Sequence, residues 1–279
     1  MKMRTEVICR TCMHHCRLKE GQTGRCRARK NIEGKVVCAN YGRLTSMALD
    51  PIEKKPLKRF HPGSRILSVG SYGCNLSCPF CQNHQISMAG EDEIQTVFLS
   101  PRELCEKALE TVPLGNIGVA FTYNEPMIGY EYIRDTAVFL KKEHLKTVAV
   151  TNGSVSLEAV GEVMPLVDAW NIDLKGFTKK YYEKLGGNLS VVQSFIKEAA
   201  KYAHVELTTL IVPEENDREE EMEEMAKWIA DIDPNIPLHV TRFFPNWQMQ
   251  DRPPTEVDMV YHLARIAGKH LKYVYTGNC

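Results

Sequence analysis

The stretch Tyr72–Gly73–Cys74–Asn75–Leu76–Ser77–Cys78–Pro79–Phe80–Cys81–Gln82–Asn83 holds cysteines in the spacing C-x3-C-x2-C. Cys74, Cys78 and Cys81 thus offer three thiolates within eight residues. A [4Fe–4S] cluster that only carries electrons takes four protein thiolates, so three leave one iron open to a small molecule. Structural zinc also wants four ligands, and the further donor at knuckle distance here is His84. A zinc knuckle, or part of a disulfide framework, is the competing reading of the same spacing.

The rest of the chain can bury a large core. Its 279 residues are 43% apolar and 25% charged, which suits one sizeable domain with a small appendage. Lys+Arg and Asp+Glu balance at 35 each, so no overall field favours nucleic acid or an anionic membrane. No stretch approaches the roughly 18–20 apolar residues of a membrane helix, and the first residues, Met1–Lys2–Met3–Arg4, lead into charged residues and cysteines. Both features point to a cytoplasmic protein. Ten cysteines, most at ligand-like spacing, indicate metal sites more than disulfides. Cys38, Cys105 and Cys279 fall outside the clusters and read as ordinary thiols.

Residues 1–60 are basic and carry five cysteines, whereas residues 61–279 alternate apolar runs with amphipathic stretches. The boundary is expected near 61–64. Strands are expected at 66–69, 117–122, 147–151, 169–174, 205–212 and 238–243, with a seventh at 273–276. Helices are expected at 101–111, 127–143, 156–164, 191–203, 217–232 and 255–269, the first opened by Ser100 and Pro101. The acidic run at 219–224 reads as a solvated face. Repeated strand–helix alternation demands a parallel sheet, doubly wound or curled into a barrel.

Chemistry-bearing residues fall at the predicted strand ends. Asn124 and Glu125 precede Pro126, so the carboxylate can accept from a substrate ammonium or simply cap the next helix. Asn152 lies in a turn after the third strand. Asp173 and Lys175 point to one side by the two-residue period and can hold a zwitterionic amino acid or form a strand-end salt bridge. Arg242 on the sixth strand can meet a carboxylate, and His239 a substrate, or each can be structural.

The amino-terminal set Cys9-x2-Cys12-x3-Cys16-x9-Cys26 places four thiolates inside eighteen residues. Zinc would make a closed staple there; a second iron–sulfur cluster would also be satisfied and could relay electrons. A disulfide pair is the third reading. The two cysteine sets share no residue, so loss of the amino-terminal metal is expected to leave residues 61–279 and their own cysteine set in place.

Cys74, Cys78 and Cys81, with Phe80 before the last of them, resemble the signature of radical S-adenosylmethionine (SAM) enzymes. The resemblance implies a partial (β/α)6 TIM-like barrel over residues 61–279, with the cluster loop after the first strand. It also implies a [4Fe–4S] cluster whose open iron holds SAM, and reductive cleavage of SAM to a 5′-deoxyadenosyl radical. The segment 122–126 resembles the family's glycine-glycine-glutamate-proline element, which binds the SAM amino group, although Tyr123 and Asn124 stand where two glycines are common. By the same resemblance Phe80, Asn124, Glu125, Asn152, Asp173, Lys175 and Arg242 are cofactor-binding candidates. The segments 50–57, 72–74, 122–126 and 242–245 further resemble the AmmeMemoRadiSam-system radical SAM proteins, relatives of the pyruvate formate-lyase activating enzyme. That subgroup implies a ferredoxin or flavodoxin electron donor, and as partners Memo-like and AMMECR-like proteins or a glycyl radical enzyme. A reading of another class is a non-catalytic iron–sulfur or zinc interaction module, which would leave Glu125, Asp173 and Lys175 without purpose.

Metal analysis separates the two occupants of the amino-terminal set. About one zinc beside about four irons per chain is the outcome expected for a staple. About eight irons without zinc is the outcome expected for a relay.

Overall fold

Apolar runs of period two, separated by amphipathic stretches, fold into an eight-stranded sheet with helices between the strands. The structure, a computed structural model, describes residues 6–279. The first residues, read above as free of an apolar leader, lie outside the described residues. Among the described residues no helix is long and apolar enough to cross a membrane.

The strands are β1 (Ser46–Pro51), β2 (Arg65–Gly70), β3 (Asn116–Phe121), β4 (Lys146–Thr151), β5 (Ala169–Asp173), β6 (His204–Ile211), β7 (Leu238–Arg242) and β8 (Val274–Gly277). Strands β2 to β8 run parallel, each beside its neighbour in sequence, and β1 pairs antiparallel with β2. An order without reversal excludes the doubly wound alternative, which needs a switch point. The sheet is a partial (β/α)6 barrel, and its edges β1 and β8 do not pair with each other among the described residues. The seven expected strands are all present, each end within one residue of its expected place. Strand β1 was not expected; it comes from the segment assigned above to the amino-terminal appendage and is hydrogen-bonded along its length to β2.

Helices α1 (Pro101–Glu110), α2 (Tyr130–Lys142), α3 (Lys179–Lys184), α4 (Leu189–Ala199), α5 (Glu219–Ile232) and α6 (Val257–Ala267) complete the fold. Helix α1 opens with a capping box between Ser100 and Glu103, which satisfies two backbone donors at once. The helix expected at 156–164 is instead one turn, Leu157–Val160, followed by a 3-10 turn, Met164–Leu166. Gly161, a poor helix former, ends the first turn, and Pro165, directly after the expected range, opens the 3-10 turn. Helix α3 was not expected, although Thr178 caps it, accepting from the Tyr181 N–H at 3.3 Å. Within the acidic run Glu221 is buried rather than solvated, and its carboxylate accepts from the Phe177 N–H at 2.6 Å.

Alternation along the strands separates two cores. Leu67, Val119, Ala149, Trp170, Leu207 and Val240 face the helices, each larger side chain gaining on the order of 1.5–3 kcal/mol by burial. Ile66, Ala120, Val148 and Ala169 face the barrel interior, where Ile52 and Leu57 close the floor at the amino-terminal ends of the strands. Glu206 secures that floor. Its fully buried carboxylate accepts from the backbone N–H groups of Lys58 (3.0 Å) and Arg59 (2.7 Å), and from His204 (2.9 Å) and His239 (2.6 Å). His239, read above as facing a substrate or as structural, stands at the floor in the structural role, bonded to Glu206.

Burial would raise the Glu206 pKa, but hydrogen bonds from His204, His239 and Arg59 outweigh it and hold the carboxyl at about 2, against an ordinary 4.5. A depressed carboxylate adds stability above its unfolded pKa, and that stability is lost as pH falls from about 4.5 toward 2. Glu206→Gln should therefore cost about 3 kcal/mol at pH 7. In denaturant unfolding followed from pH 7 to 3, the variant should also lose stability less steeply on the acid side.

Candidate functional site

The loop that leaves β2 is shaped before any ligand enters. Gly73 has φ +86°, and a Cβ there would overlap the carbonyl oxygen of Cys26, so only glycine fits. Asn124 staples the loop: its Oδ1 accepts from the Ser71 N–H at 3.0 Å, and its Nδ2 donates to the carbonyls of Tyr72 (3.2 Å) and Gly73 (3.1 Å). Further along, the Ser77 N–H donates to Leu185 O (2.8 Å), and Pro79 O accepts from the Gln248 N–H (2.9 Å). Leu76, Cys78 and Phe80 root the loop in a separate apolar cluster with Tyr181, Phe243 and Met249. Phe80 meets Phe243 edge-on, with ring centroids 6.4 Å apart.

Strand ends bring charge to this loop. Glu125, 2% exposed, accepts from the Met127 N–H (2.9 Å), the Thr151 hydroxyl (2.6 Å) and the Asn152 N–H (2.7 Å). It therefore caps the next 3-10 turn and ties β3 to β4. Burial raises its pKa to about 7, although those three donors favour the charged form. Asn152 donates to Asn75 Oδ1 at 3.0 Å and lies 3.6 Å from Cys74 Sγ. Asp173 and Lys175 pair at 2.9 Å, with 34% and 17% of their side chains exposed. Burial works against the Lys175 charge, but Asp173 and then Cys78 hold its pKa well above the ordinary value. Burial raises the Cys78 thiol to about 11, and Lys175 pulls it the other way. The Cys74 thiol is pushed well up, first by burial and next by Glu125.

Six of the seven cofactor-binding candidates thus surround the three cysteines. Arg242 is engaged elsewhere: its Nε donates to Thr255 O at 2.6 Å, and its guanidinium covers the Phe244 ring at 4.8 Å. Tyr123, the departure from the glycine pair, has φ +72°; it packs its ring on Gly70 and donates to Asp50 Oδ2 at 2.8 Å, where Lys55 also binds at 2.9 Å. The segment 50–57 and the segment 122–126 therefore meet inside the barrel.

Two residues missed from sequence bear on what fits the site. The hydroxyls of Ser154 and Tyr181 are buried without a hydrogen-bond partner. Ser154 follows Asn152 and accepts from Asn75 through its carbonyl at 2.7 Å, while Tyr181 packs against Cys78. Buried polar atoms left unpaired beside a three-thiol loop suit a bound polar group. Among the described residues no three Cys, His, Asp or Glu side chains converge as they would around one metal ion. Three thiols on one loop without a fourth are the donor set of a cluster that keeps one iron open.

At the amino terminus Cys9, Cys12 and Cys26 are buried and Cys16 is half-buried. The Cys9 N–H donates to Cys16 O at 2.9 Å, closing the turn. Burial raises the Cys12 thiol to about 11, and Cys26, Cys9 and Cys16 add to the rise, as neighbouring thiols do.

A family profile, the radical SAM superfamily, matches residues 68–229. An uncharacterized protein of Methanocaldococcus jannaschii is 38% identical over 277 residues, 98% of this chain and 81% of the relative. Among solved structures, Streptococcus suis SuiB superposes with a TM-score of 0.59 at 13% identity, over 75% of this chain and 48% of SuiB. TYW1 with a lysine-pyruvate adduct bound superposes with a TM-score of 0.51 at 14% identity, over 73% of this chain and 74% of TYW1. These two likenesses are of fold.

Asn124→Ala removes three hydrogen bonds that shape the loop. It should lower stability by about 1–3 kcal/mol and speed amide exchange at 71–73 more than in β6 or β7, read by hydrogen–deuterium exchange.

Proposed function

The chain belongs to the radical SAM superfamily, and we propose that Cys74, Cys78 and Cys81 hold its [4Fe–4S] cluster with one iron open to SAM. The observation that carries the reading is three thiols on the loop after the first parallel strand, ringed by Asn152, Glu125, Asp173 and Lys175. When bound, the reduced cluster supplies the electron that cleaves SAM to methionine and a 5′-deoxyadenosyl radical, which abstracts hydrogen from a substrate or partner protein.

The chain's own residues position SAM and keep the site dry. Asp173 and Lys175, the charges at the mouth that retain exposure, are suited to the ammonium and carboxylate of the methionine moiety. Glu125 accepts three internal hydrogen bonds, which leaves about one of its four lone-pair sites for an ammonium. Phe80, Phe243 and Met249 exclude water behind the loop.

Within the superfamily we assign the chain to the AmmeMemoRadiSam-system proteins, akin to the pyruvate formate-lyase activating enzyme, on the segments 50–57, 122–126 and 242–245. A cytoplasmic ferredoxin or flavodoxin is the proposed donor, with Memo-like and AMMECR-like proteins or a glycyl radical enzyme as the proposed partner. For the amino-terminal segment, expected over residues 1–60 but giving 46–51 to β1, we propose metal binding in which Cys9, Cys12, Cys16 and Cys26 hold zinc or a second iron–sulfur cluster.

Reconstituted, dithionite-reduced protein should convert SAM to methionine and 5′-deoxyadenosine under strict anaerobiosis, and Cys78→Ala should not. Asp173→Asn should weaken SAM binding by about 1–3 kcal/mol, measured by equilibrium dialysis. Absence of 5′-deoxyadenosine from the wild-type protein would sink the assignment.

A further inference from the structure

The two cysteine sets, separate in sequence, are back to back in the fold. His14, between Cys12 and Cys16, donates from Nε2 to the carbonyl of Asn75 at 2.8 Å. Asn75 in turn bonds Ser154 O (2.7 Å) and Asn152 Nδ2 (3.0 Å), the amide that also faces Cys74 Sγ. Cys12 forms an isolated antiparallel bridge with Val155, and the Ser156 N–H donates to Thr11 O at 2.9 Å. On the other side the Cys26 carbonyl fills the space against Gly73 where a Cβ would lie, and Ala28 Cβ is 3.4 Å from that position. Residues 73 and 75, which flank Cys74, are therefore each held by a residue of the amino-terminal turn.

Such contacts have a direction of dependence. Strand β2, Asn124 and the cluster around Phe80 fix the two ends of the loop. The Asn75 carbonyl accepts from His14, and nothing else named above binds that oxygen. The turn from Cys9 to Cys16 lies between two-residue strands, Val7–Ile8 and Arg17–Leu18, and Cys26 precedes a hairpin of Arg29–Ile32 with Lys35–Cys38; between these short elements the placement of the four cysteines depends on what their thiols hold.

We propose that the amino-terminal cysteine turn is a clamp that positions Cys74, so that the state of its four thiols is transmitted to the catalytic cluster through His14 and the Cys26 carbonyl. The proposal rests on the reading that Cys74, Cys78 and Cys81 hold a cluster open to SAM. It replaces the expectation that the two sites are independent. His14 is a positioning residue here: it touches neither cluster nor SAM, and acts through Asn75 and Asn152.

The test uses the full chain, reconstituted without oxygen, and follows the SAM-responsive EPR signal of the reduced cluster during incubation with an iron chelator. That signal belongs to the open-iron cluster alone, so iron at the amino-terminal set does not confuse it. His14→Ala should lose the signal several-fold faster than wild type, with faster amide exchange at 73–76, and His14→Gln, whose amide can reach the same carbonyl, should restore both. Cys16→Ser, which removes no ligand of the catalytic set, should also speed the loss, and it serves as the second variant should His14→Ala not fold. Wild-type rates in both His14→Ala and Cys16→Ser would overturn the clamp while leaving the catalytic reading intact. A wild-type chain with no SAM-responsive signal overturns that reading, and the clamp with it.

Discussion

Two adjacent side chains hold the mouth of this barrel together. Asn124 binds the backbone of the loop after β2, and Glu125 binds the backbone and hydroxyl groups at the end of β4. Three neighbouring strand ends are thereby fixed by one dipeptide at the end of the strand between them. The loop carries the cysteines, and loops are the mobile part of such folds, so the site has its shape only while these bonds exist. Burying a carboxylate is costly unless its lone pairs are satisfied; here three donors offset part of that cost for Glu125 and tie β3 to β4 in doing so.

The opposite end uses the same chemistry for a different purpose. Glu206 takes two backbone N–H groups from the segment before β2 and two imidazoles from β6 and β7. Residues 52–59 are thus locked under the barrel, and the polar trio Asp50, Lys55 and Tyr123 links that floor to the segment that shapes the mouth. Floor and mouth are mechanically connected through Tyr123, whose hydroxyl donates to Asp50 and whose ring lies against Lys55.

Expectations drawn from periodicity fared well where one force dominated. Strands β2 to β8 were legible because each must bury alternate residues on two different cores, which leaves a long apolar run in the sequence. Strand β1 was missed because Ser46, Asp50 and Pro51 dilute its apolar character and only its partner β2 makes it a strand. The helix expected at 156–164 failed because amphipathic spacing says nothing of a glycine within it and a proline directly after it. The two readings of His239 stayed open for another reason: a two-residue period gives the face of a strand, not the height along it, and the bond to Glu206 decided for the structural role.

The sequence by itself determined the thiol count, the spacing Cys74-x3-Cys78-x2-Cys81, and the alternation that places that loop at a strand end, because these are properties of neighbours along the chain. It also determined that Asp173 and Lys175 share a side, and they do pair. Only the tertiary structure decided that Glu125, beyond its local cap, is engaged by Thr151 and Asn152, that Arg242 is bound to Thr255, and that His14 reaches Asn75 across 61 residues. Those are bonds between segments remote in sequence, and their partners are chosen by how the sheet curls and where the amino-terminal turn docks, which no local pattern encodes.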